Sequence, residues 1–329
     1  MIDVGPRFWL QLRQWHAKLG PILQEVGMKF MNFSRKNAPN VVRLGCVFGD
    51  TCFDLTKAIG DDLLEFPRVV FTVEEALQIK DGLQLLEDQV VLLERSSSGI
   101  QSYLFRHTDV TFRSPITHPS KLVGIGLNYR DHVEEIKGQI PKQPLLFAMY
   151  ANAIVGPEEA IVIPPMSKQV DYEAELGVIV GRRGRQLSRA EAMDYVVGYT
   201  IVHDVSARDL QFSDGQWLRA KSFDTFAPMG PYLVTKSTLG EAEGLAIELR
   251  LNGKTMQKSH TGNLIFKVPD LVSYISQVMT LEVGDVIATG TPGGVGFVRN
   301  PQVFMKPGDV VEIEIEDIGV LRNRVVAFD

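Results

Sequence analysis

Short apolar runs rich in Val and Ile recur through the C-terminal two thirds of the chain, many of them separated by turns that carry Gly or Pro. They cover residues 122–125, 161–163, 174–180, 196–203, 232–235, 246–251, 286–289 and 310–315. Runs of this length and composition are typical of buried β-strands. Helical patterns are fewer and cover residues 131–137, 188–193 and 269–279. Many strands with few helices favour an α+β, mainly β architecture closed on itself over a regular alternation of strand and helix.

The N-terminal third has a different texture, with a hairpin pattern over residues 41–55 and helical patterns over residues 72–94. A turn-rich stretch follows, in which Ser114-Pro115 and His118-Pro119 disfavour helix and indicate a linker. We therefore expect three parts along the chain. They are an N-terminal extension at residues 1–30, a small α/β domain at 31–114 and a larger domain at 115–329, which holds the candidate site residues.

Composition excludes several classes of function for the 329-residue chain. The net charge is −6, so we expect no strongly basic face and no nucleic-acid partner. No apolar run reaches the length of about 18 residues that a membrane-spanning helix needs, so we expect no membrane partner. Two cysteines, Cys46 and Cys52, neither match zinc spacing nor suffice to cross-link a chain of this size, which favours a reducing compartment.

The first 24 residues carry Arg7, Arg13 and Lys18 against a single acid, Asp3, with aromatic and Leu residues between them. This pattern is compatible with an amphipathic mitochondrial presequence, and equally with a surface helix in an N-terminal extension. The expected location is therefore mitochondrial, or otherwise cytoplasmic.

Glu173 and Glu175 open an otherwise apolar strand pattern. Residues two apart on a strand project from the same face, so both carboxylates point together. Neighbouring like charges are unfavourable unless something positive lies between them, and a divalent cation would serve. The alternative is a solvated face on an edge strand.

Asp204 ends another apolar strand pattern, where an acid must be paired, hydrogen-bonded or bound to metal. Together with Glu173 and Glu175 it would form an all-oxygen site, which suits Mg²⁺ or Mn²⁺ better than Zn²⁺. An ordinary ion pair between Asp204 and Arg208 is the alternative.

His132 and Glu135 lie three residues apart in a predicted helix, close enough to hydrogen-bond. A histidine oriented by a carboxylate is a recurrent general base. Asp131 and Glu134 fit a capping box at the start of the same helix, so the whole group also fits a surface helix without function.

Two further features leave their roles open. Lys221 lies among small and aromatic residues, where it could neutralise an anion or remain a solvated loop charge. Residues 289–296 lack the Lys-Ser/Thr ending of a phosphate-binding loop and predict a tight turn after a strand. Such a turn either presents amides and the Thr291 hydroxyl to an anion or only reverses the chain.

Taken together, these motifs resemble the fumarylacetoacetate hydrolase superfamily over residues 115–329. The resemblance rests on five motifs in the family's order, at residues 126–132, 171–177, 203–211, 220–225 and 289–296. Residues 303–309 are similar to the group of fumarylacetoacetate hydrolase domain-containing protein 2. The resemblance implies a mixed β-roll fold and a homodimer.

The resemblance also implies site roles. Glu173, Glu175 and Asp204 would bind Mg²⁺ or Mn²⁺, and His132 with Glu135 would form a catalytic pair on a lid helix. The match assigns Lys221 as an active-site lysine, and Arg208, Gln211 and Thr291 as substrate contacts. The family's founding hydrolase places a further Asp on its metal, and Asp131 falls near that position here.

The implied activity is metal-dependent chemistry on a small β-dicarbonyl acid. Keto–enol tautomerisation of oxaloacetate is the branch that the resemblance favours. Hydrolysis of acylpyruvates or fumarylacetoacetate-type C–C bonds, and decarboxylation of oxaloacetate, are the alternatives within the same chemistry. A catalytically silent structural homologue is the alternative of another class.

Overall fold

The computed structural model describes residues 28–48, 51–96 and 99–328, so the presequence interpretation lies almost entirely outside the described residues. Strands dominate this part of the chain. They are β1 (Lys29–Arg35), β2 (Ala38–Phe48), β3 (Thr51–Asp54), β4 (Leu104–Arg106), β5 (Val110–Arg113), β6 (Leu122–Gly126), β7 (Leu145–Met149), β8 (Ile154–Val155), β9 (Ala160–Ile163), β10 (Val170–Asp171), β11 (Ala174–Val180), β12 (Val196–His203), β13 (Ser206–Ala207), β14 (Ala227–Thr235), β15 (Ala246–Leu251), β16 (Lys254–His260), β17 (Val286–Ala288), β18 (Val310–Ile315) and β19 (Gly319–Ala327).

The α-helices are short, apart from two. They are α1 (Leu55–Gly60), α2 (Val73–Leu77), α3 (Gly82–Ser96), α4 (Arg130–Glu135), α5 (Arg208–Asp214), α6 (Trp217–Lys221), α7 (Lys236–Leu239) and α8 (Val268–Val278). The helix predicted at residues 188–193 is wrong, because only a 3₁₀ turn forms there, at Ala192–Tyr195. The predominance of strands confirms the α+β, mainly β fold class.

The larger sheet runs in the order β4-β3-β2-β1-β14-β12-β11-β17-β6-β7. Most neighbours are antiparallel, while β17 and β6 pair in parallel. Strand β11 lies inside this sheet between β12 and β17, and all seven of its residues are buried. A strand covered on both faces has no polar alternation, which explains why its sequence is apolar apart from Glu175.

A smaller sheet, in the order β16-β15-β18-β19-β9, packs on the larger one, with β15 against β11 and β18 against β12. Ile247 and Leu249 on β15 belong to the same buried core cluster as Leu176 and Val178 on β11. This packing fixes the smaller sheet beside the strand that begins at the acidic pair.

The larger sheet also includes the N-terminal strands. Lys29 and Phe30 on β1 pair with Val234 and Leu233 on β14, so the sheet continues across the predicted boundary between residues 114 and 115. The division into two domains stays a prediction about folding units. None of the helices in the described ranges is long and apolar enough to cross a membrane.

Candidate active site

The acidic pair lies in the interior of the protein. Glu173 immediately precedes β11 and Glu175 is its second residue, and their exposed fractions are 5% and 1%. Because β11 is hydrogen-bonded on both sides, the alternative of a solvated edge strand is wrong for this pair. The amide of Gly290, which follows neighbouring β17, donates to Glu175 Oε2 over 2.8 Å.

Asp204 follows β12, the other neighbour of β11, and this adjacency brings it to the acidic pair. Its amide donates to the carbonyl of Glu173 over 3.0 Å. Carboxylate oxygens of Glu173, Glu175 and Asp204 lie within 4.8 Å of one another. Asp204 Oδ1 is buried without a hydrogen-bond partner among the described residues. A buried all-oxygen donor set with an orphaned oxygen fits a hard divalent cation.

The three carboxylates perturb one another. Burial raises the pKa of Glu175 well above its ordinary value, and the charges of Asp204 and Glu173 raise it further. Burial likewise raises the pKa of Asp204 to about 7. Burial also disfavours the charge of Glu173, but Arg208 and Lys221 outweigh it and hold that pKa well below its ordinary value. Added positive charge would therefore stabilise the ionised form of this cluster.

Lys221, at the end of α6, is 2% exposed, which excludes the solvated-loop alternative. Its Nζ donates to Glu173 Oε2 over 2.8 Å and to Asp204 Oδ2 over 2.5 Å. Burial acts to lower the pKa of Lys221, but Asp204 and Glu173 outweigh it and raise the pKa above its ordinary value. Lys221 therefore carries a buried positive charge against two of the three acids.

Arg208 begins α5 and is 3% exposed. Its Nε donates to Asp171 Oδ2 over 2.9 Å, its Nη2 to Glu173 Oε1 over 2.5 Å and its Nη1 to Gln211 Oε1 over 2.9 Å. The alternative in which Arg208 pairs with Asp204 is therefore wrong. All three guanidinium nitrogens are already engaged within the protein.

The predicted pair on α4 is in contact. His132 Nδ1 lies 2.9 Å from Glu135 Oε1, and Glu135 Oε2 accepts the amide of Gly294 over 2.8 Å. A carboxylate can only accept, so it favours the tautomer that carries the proton on Nδ1 and leaves Nε2 as the basic nitrogen. His132 is 6% exposed, so its side chain is buried and does not lie on a solvated helix surface.

The predicted capping box at the start of α4 is wrong. The helix begins at Arg130 with Tyr129 as its N-cap, and no side chain caps it. Asp131 Oδ2 instead accepts the hydroxyl of Ser259 on β16 over 2.5 Å. A tertiary contact thus replaces the local cap, and Asp131 does not belong to the group of three acids.

The Gly-rich turn at residues 289–296 presents its amides to carboxylates of the protein itself. Gly290 donates to Glu175 and Gly294 to Glu135, while Gly296 donates to Asp171 over 2.7 Å. Gly290 has φ +101° and Gly294 φ +104°, conformations in which a side chain would be strained. The turn therefore holds three carboxylates in place, two of which, Glu175 and Glu135, belong to the predicted site.

These elements enclose a cavity of about 230 Å³. Except for Glu135, which lies behind His132, every predicted site residue lines it: His132, Glu173, Glu175, Asp204, Arg208, Gln211, Lys221 and Thr291. Apolar side chains form the rest of the wall, among them Ile136, Phe147, Phe212, Trp217 and Phe297. The cavity suits a small, polar ligand with room for little else.

The family model of the fumarylacetoacetate (FAA) hydrolase C-terminal domain matches residues 121–326, well over half of the chain. The chain belongs to the fumarylacetoacetate hydrolase family. It is similar to "Oxaloacetate tautomerase Fahd2a, mitochondrial" of Rattus norvegicus, at 45% identity over 75% of this chain and 80% of the relative. It is also similar to "Oxaloacetate tautomerase FAHD2B, mitochondrial" of Homo sapiens, at 48% identity over 75% of this chain and 80% of the relative.

Solved structures agree on the fold. A fumarylacetoacetate hydrolase from psychrophilic Exiguobacterium antarcticum superposes with a TM-score of 0.75 at 32% identity, covering 92% of this chain and all of that one. A 5-carboxymethyl-2-hydroxymuconate delta-isomerase from Mycobacterium smegmatis superposes with a TM-score of 0.69 at 32% identity, covering 92% and 99%. The predicted fumarylacetoacetate-hydrolase-like fold is confirmed, and the protein is an enzyme of this family.

The sequence did not predict two buried residues that contact the site residues, Asp171 and Gln257. Asp171 accepts hydrogen bonds from Arg208 and from the amides of Gly296 and Phe297, and so joins α5 to the Gly-rich turn. Its position two residues before Glu173 is the sequence feature that could have indicated this role. Gln257 links the acidic strand to Thr291, and nothing in its polar surroundings in the sequence indicated this contact.

Proposed function

We propose that this enzyme interconverts the keto and enol forms of oxaloacetate, with Mg²⁺ or Mn²⁺ held by Glu173, Glu175 and Asp204. The observation that carries the proposal is the cluster of three buried carboxylates that shares a small cavity with the His132–Glu135 pair. Relatives at 45% and 48% identity bear the name oxaloacetate tautomerase, which supports this substrate.

The site residues have separate roles in the proposed proton transfer. A divalent cation in the acidic cluster would supply Lewis acidity toward a carbonyl oxygen of the substrate. His132 Nε2 takes a proton from the C3 methylene of oxaloacetate, and the electron pair of that C–H bond becomes part of the C2=C3 bond as the carbonyl oxygen gains negative charge. The charge of Lys221 stabilises that oxygen until the His132 imidazolium gives the proton to it, which completes the enol. Returning the proton to C3 restores the keto form.

Glu135 and the apolar wall support the proton transfer. Glu135 orients the imidazole and stabilises the imidazolium that forms when Nε2 takes the proton. The aromatic residues restrict water around the cavity and so favour return of the proton to the substrate over attack by water. Thr291 and Gln211 are proposed to contact the substrate. Arg208 holds Glu173 and Gln211 in place, and we propose that it contacts the substrate through the second N–H that Nη1 and Nη2 each keep.

Proton NMR of oxaloacetate with purified protein tests the proposal, first with Mg²⁺ and then with excess EDTA. The enol, keto and pyruvate signals are resolved in one experiment. We expect faster enol–keto exchange with Mg²⁺ and a return to the uncatalysed rate with EDTA. Pyruvate in place of exchange would show decarboxylation, and cleavage of an added acylpyruvate without exchange would show C–C hydrolysis. No reaction with either substrate would favour a silent homologue.

Substitutions test the metal ligands independently of the substrate. Glu173→Gln and Glu175→Gln should each abolish the increase in melting temperature that Mg²⁺ gives the unmodified enzyme. Glu134→Gln, which alters an exposed glutamate on α4, is the matched control and should keep that increase. Full Mg²⁺ stabilisation and full activity in both ligand variants would refute the metal assignment.

We further propose a mitochondrial location and a homodimer. The location follows from the names of the relatives and from the basic, aromatic N-terminal 24 residues. Import of the full chain into isolated mitochondria, with a shorter processed product, tests the location. Light scattering of the purified enzyme tests the dimer, and a monomeric mass would refute it.

A further inference from the structure

Gln257 lies on β16 of the smaller sheet, outside the elements that supply the candidate metal ligands, and is 1% exposed. Its Oε1 accepts the amide of Ala174, the residue between Glu173 and Glu175, over 2.9 Å. Its Nε2 donates to Thr291 Oγ1 and to the carbonyl of Pro292, each over 2.8 Å. One buried amide thus joins the acidic strand to the Gly-rich turn.

The chemistry of the neighbours fixes which end of this amide faces which partner. The Ala174 N–H can only donate, so it must face Oε1. The Pro292 carbonyl can only accept, so it must face Nε2. The nitrogen is therefore the atom that reaches Thr291, and the hydroxyl of Thr291 must accept that hydrogen bond.

A hydroxyl that accepts from Gln257 keeps its own proton for another acceptor. Thr291 lines the cavity at 5% exposure, and none of the hydrogen bonds in the described part of the chain takes that proton. We infer that Gln257 is a positioning residue that holds the Thr291 hydroxyl as a donor into the cavity, toward an anionic oxygen of the ligand. The inference deepens the proposed function, on which the nature of that ligand rests.

The charged donors beside Thr291 show why an oriented hydroxyl matters. Lys221 already donates to Glu173 and Asp204, and Arg208 to Asp171, Glu173 and Gln211. A ligand carboxylate that enters the cavity therefore meets cations that keep further N–H groups but are held in place by protein acceptors. The Thr291 hydroxyl adds a neutral donor that has no other acceptor among the described residues, and its direction selects an acceptor over a donor at that position of the ligand.

A double-mutant cycle with Thr291 tests the inference, read as the affinity for oxalate in the presence of Mg²⁺ by titration calorimetry. Gln257→Met removes the donor and should weaken oxalate binding about tenfold, the usual effect of one lost hydrogen bond to a charged group. Thr291→Val should weaken it by a similar factor. In the Thr291→Val background, Gln257→Met should have no further effect, because Gln257 acts through the hydroxyl.

Two variants separate positioning from general damage. Thr291→Ser keeps the hydroxyl, so Gln257→Met should weaken oxalate as much in that background as in the unmodified enzyme. Gln257→Glu has nearly the same shape but, when ionised, can only accept; it should turn the hydroxyl proton away from the cavity and weaken oxalate at least tenfold. If Gln257→Met does not fold, this variant carries the cycle. Its charge weakens oxalate in every background, so the inference then requires a larger loss in the Thr291→Ser than in the Thr291→Val background.

The outcomes are decisive in both directions. Independent, multiplying effects of Gln257 and Thr291 would overturn the inference, as would unchanged affinity in Gln257→Glu or no oxalate binding by the unmodified enzyme. An enzyme that binds oxalate with the expected coupling but does not accelerate oxaloacetate exchange would refute the proposed reaction and keep the role of Gln257.

Discussion

Lys221 is the residue on which the balance of charge in the site depends. Its ammonium contacts two of three buried carboxylates, and removing one partner of a buried ion pair leaves uncompensated charge. We expect Lys221→Met to lower the free energy of unfolding by about 3–5 kcal/mol in EDTA. Mg²⁺ should recover part of the loss, because a divalent cation would pair with the same carboxylates.

Urea unfolding with EDTA and with Mg²⁺ measures both effects. Lys142→Met, which removes an exposed lysine, is the matched control and should unfold like the unmodified enzyme in both conditions. If Lys221→Met is as stable as the unmodified enzyme in EDTA, the ammonium does not stabilise the acids as the geometry indicates.

The His132–Glu135 contact gives a prediction on rate. His132→Ala should reduce kcat for oxaloacetate exchange by about 10²–10⁴ while Mg²⁺ still raises the melting temperature, because His132 touches none of the three acids through a hydrogen bond. Glu135→Gln should have a smaller effect, since its amide oxygen can still accept from His132 Nδ1, although its amide nitrogen cannot accept from Gly294. Unchanged kcat in His132→Ala would remove it from the mechanism.

At the scale of elements, the sequence predicts best those features that depend on residues adjacent in the chain. The strand predicted at residues 174–180 has the same limits as β11. A short apolar run rich in branched residues indicates a buried strand without reference to any distant part of the chain. The acidic triad was predictable for the same reason, since acids at the ends of such runs need a partner. Period and composition therefore located β11, β12 and their acids.

Period and composition do not predict contacts between residues that are far apart in the sequence. Asp131 was predicted to cap α4 from local spacing, but it binds Ser259, 128 residues further along the chain. Gln257 is 83 residues from Ala174, and only the packing of the smaller sheet on the larger one brings them together. No periodicity within one element records such a pairing, so it becomes visible only in the folded protein.

Glu87 on α3 holds three elements together, and its ionisation gives a prediction about how stability depends on pH. Its carboxyl accepts hydrogen bonds from the Met28 amide and from Ser237 and Thr235, and so joins α3 to the start of β1 and the end of β14. Burial raises the pKa of Glu87 from 4.5 to about 7. The folded protein therefore retains a proton that the unfolded chain releases, and the stability due to this proton is lost as pH rises from 4.5 through about 7.

Glu87→Gln should remove this dependence, because an amide does not ionise. Relative to the variant, the unmodified enzyme should lose on the order of 3 kcal/mol of unfolding free energy between about pH 4.5 and pH 8. Urea unfolding across that range, with Glu65→Gln as an exposed control, measures the difference. Parallel pH profiles for Glu87→Gln and the unmodified enzyme would show that Glu87 is ionised in the folded state.

At the scale of the whole molecule, the larger sheet crosses the predicted boundary between residues 114 and 115. Strand β1 pairs with β2 on one side and with β14 on the other, and the side-chain Nδ2 of Asn32 donates to the carbonyls of Ser114 and Pro115. Strand β14 in turn pairs with β12, which leads to Asp204. The N-terminal strands and the site are therefore parts of one hydrogen-bonded network.

This continuity predicts that the two regions unfold together. Phe30 on β1 is fully buried in the same core cluster as Leu233 on β14, so Phe30→Ala should lower the unfolding free energy by about 3–5 kcal/mol. Hydrogen exchange in the native state would follow the amides of β1 and of β11 separately. Because one sheet joins them, the loss should be equal in both strands. A loss confined to β1, with β11 unchanged, would mean that the N-terminal region opens by itself and that the site does not depend on it.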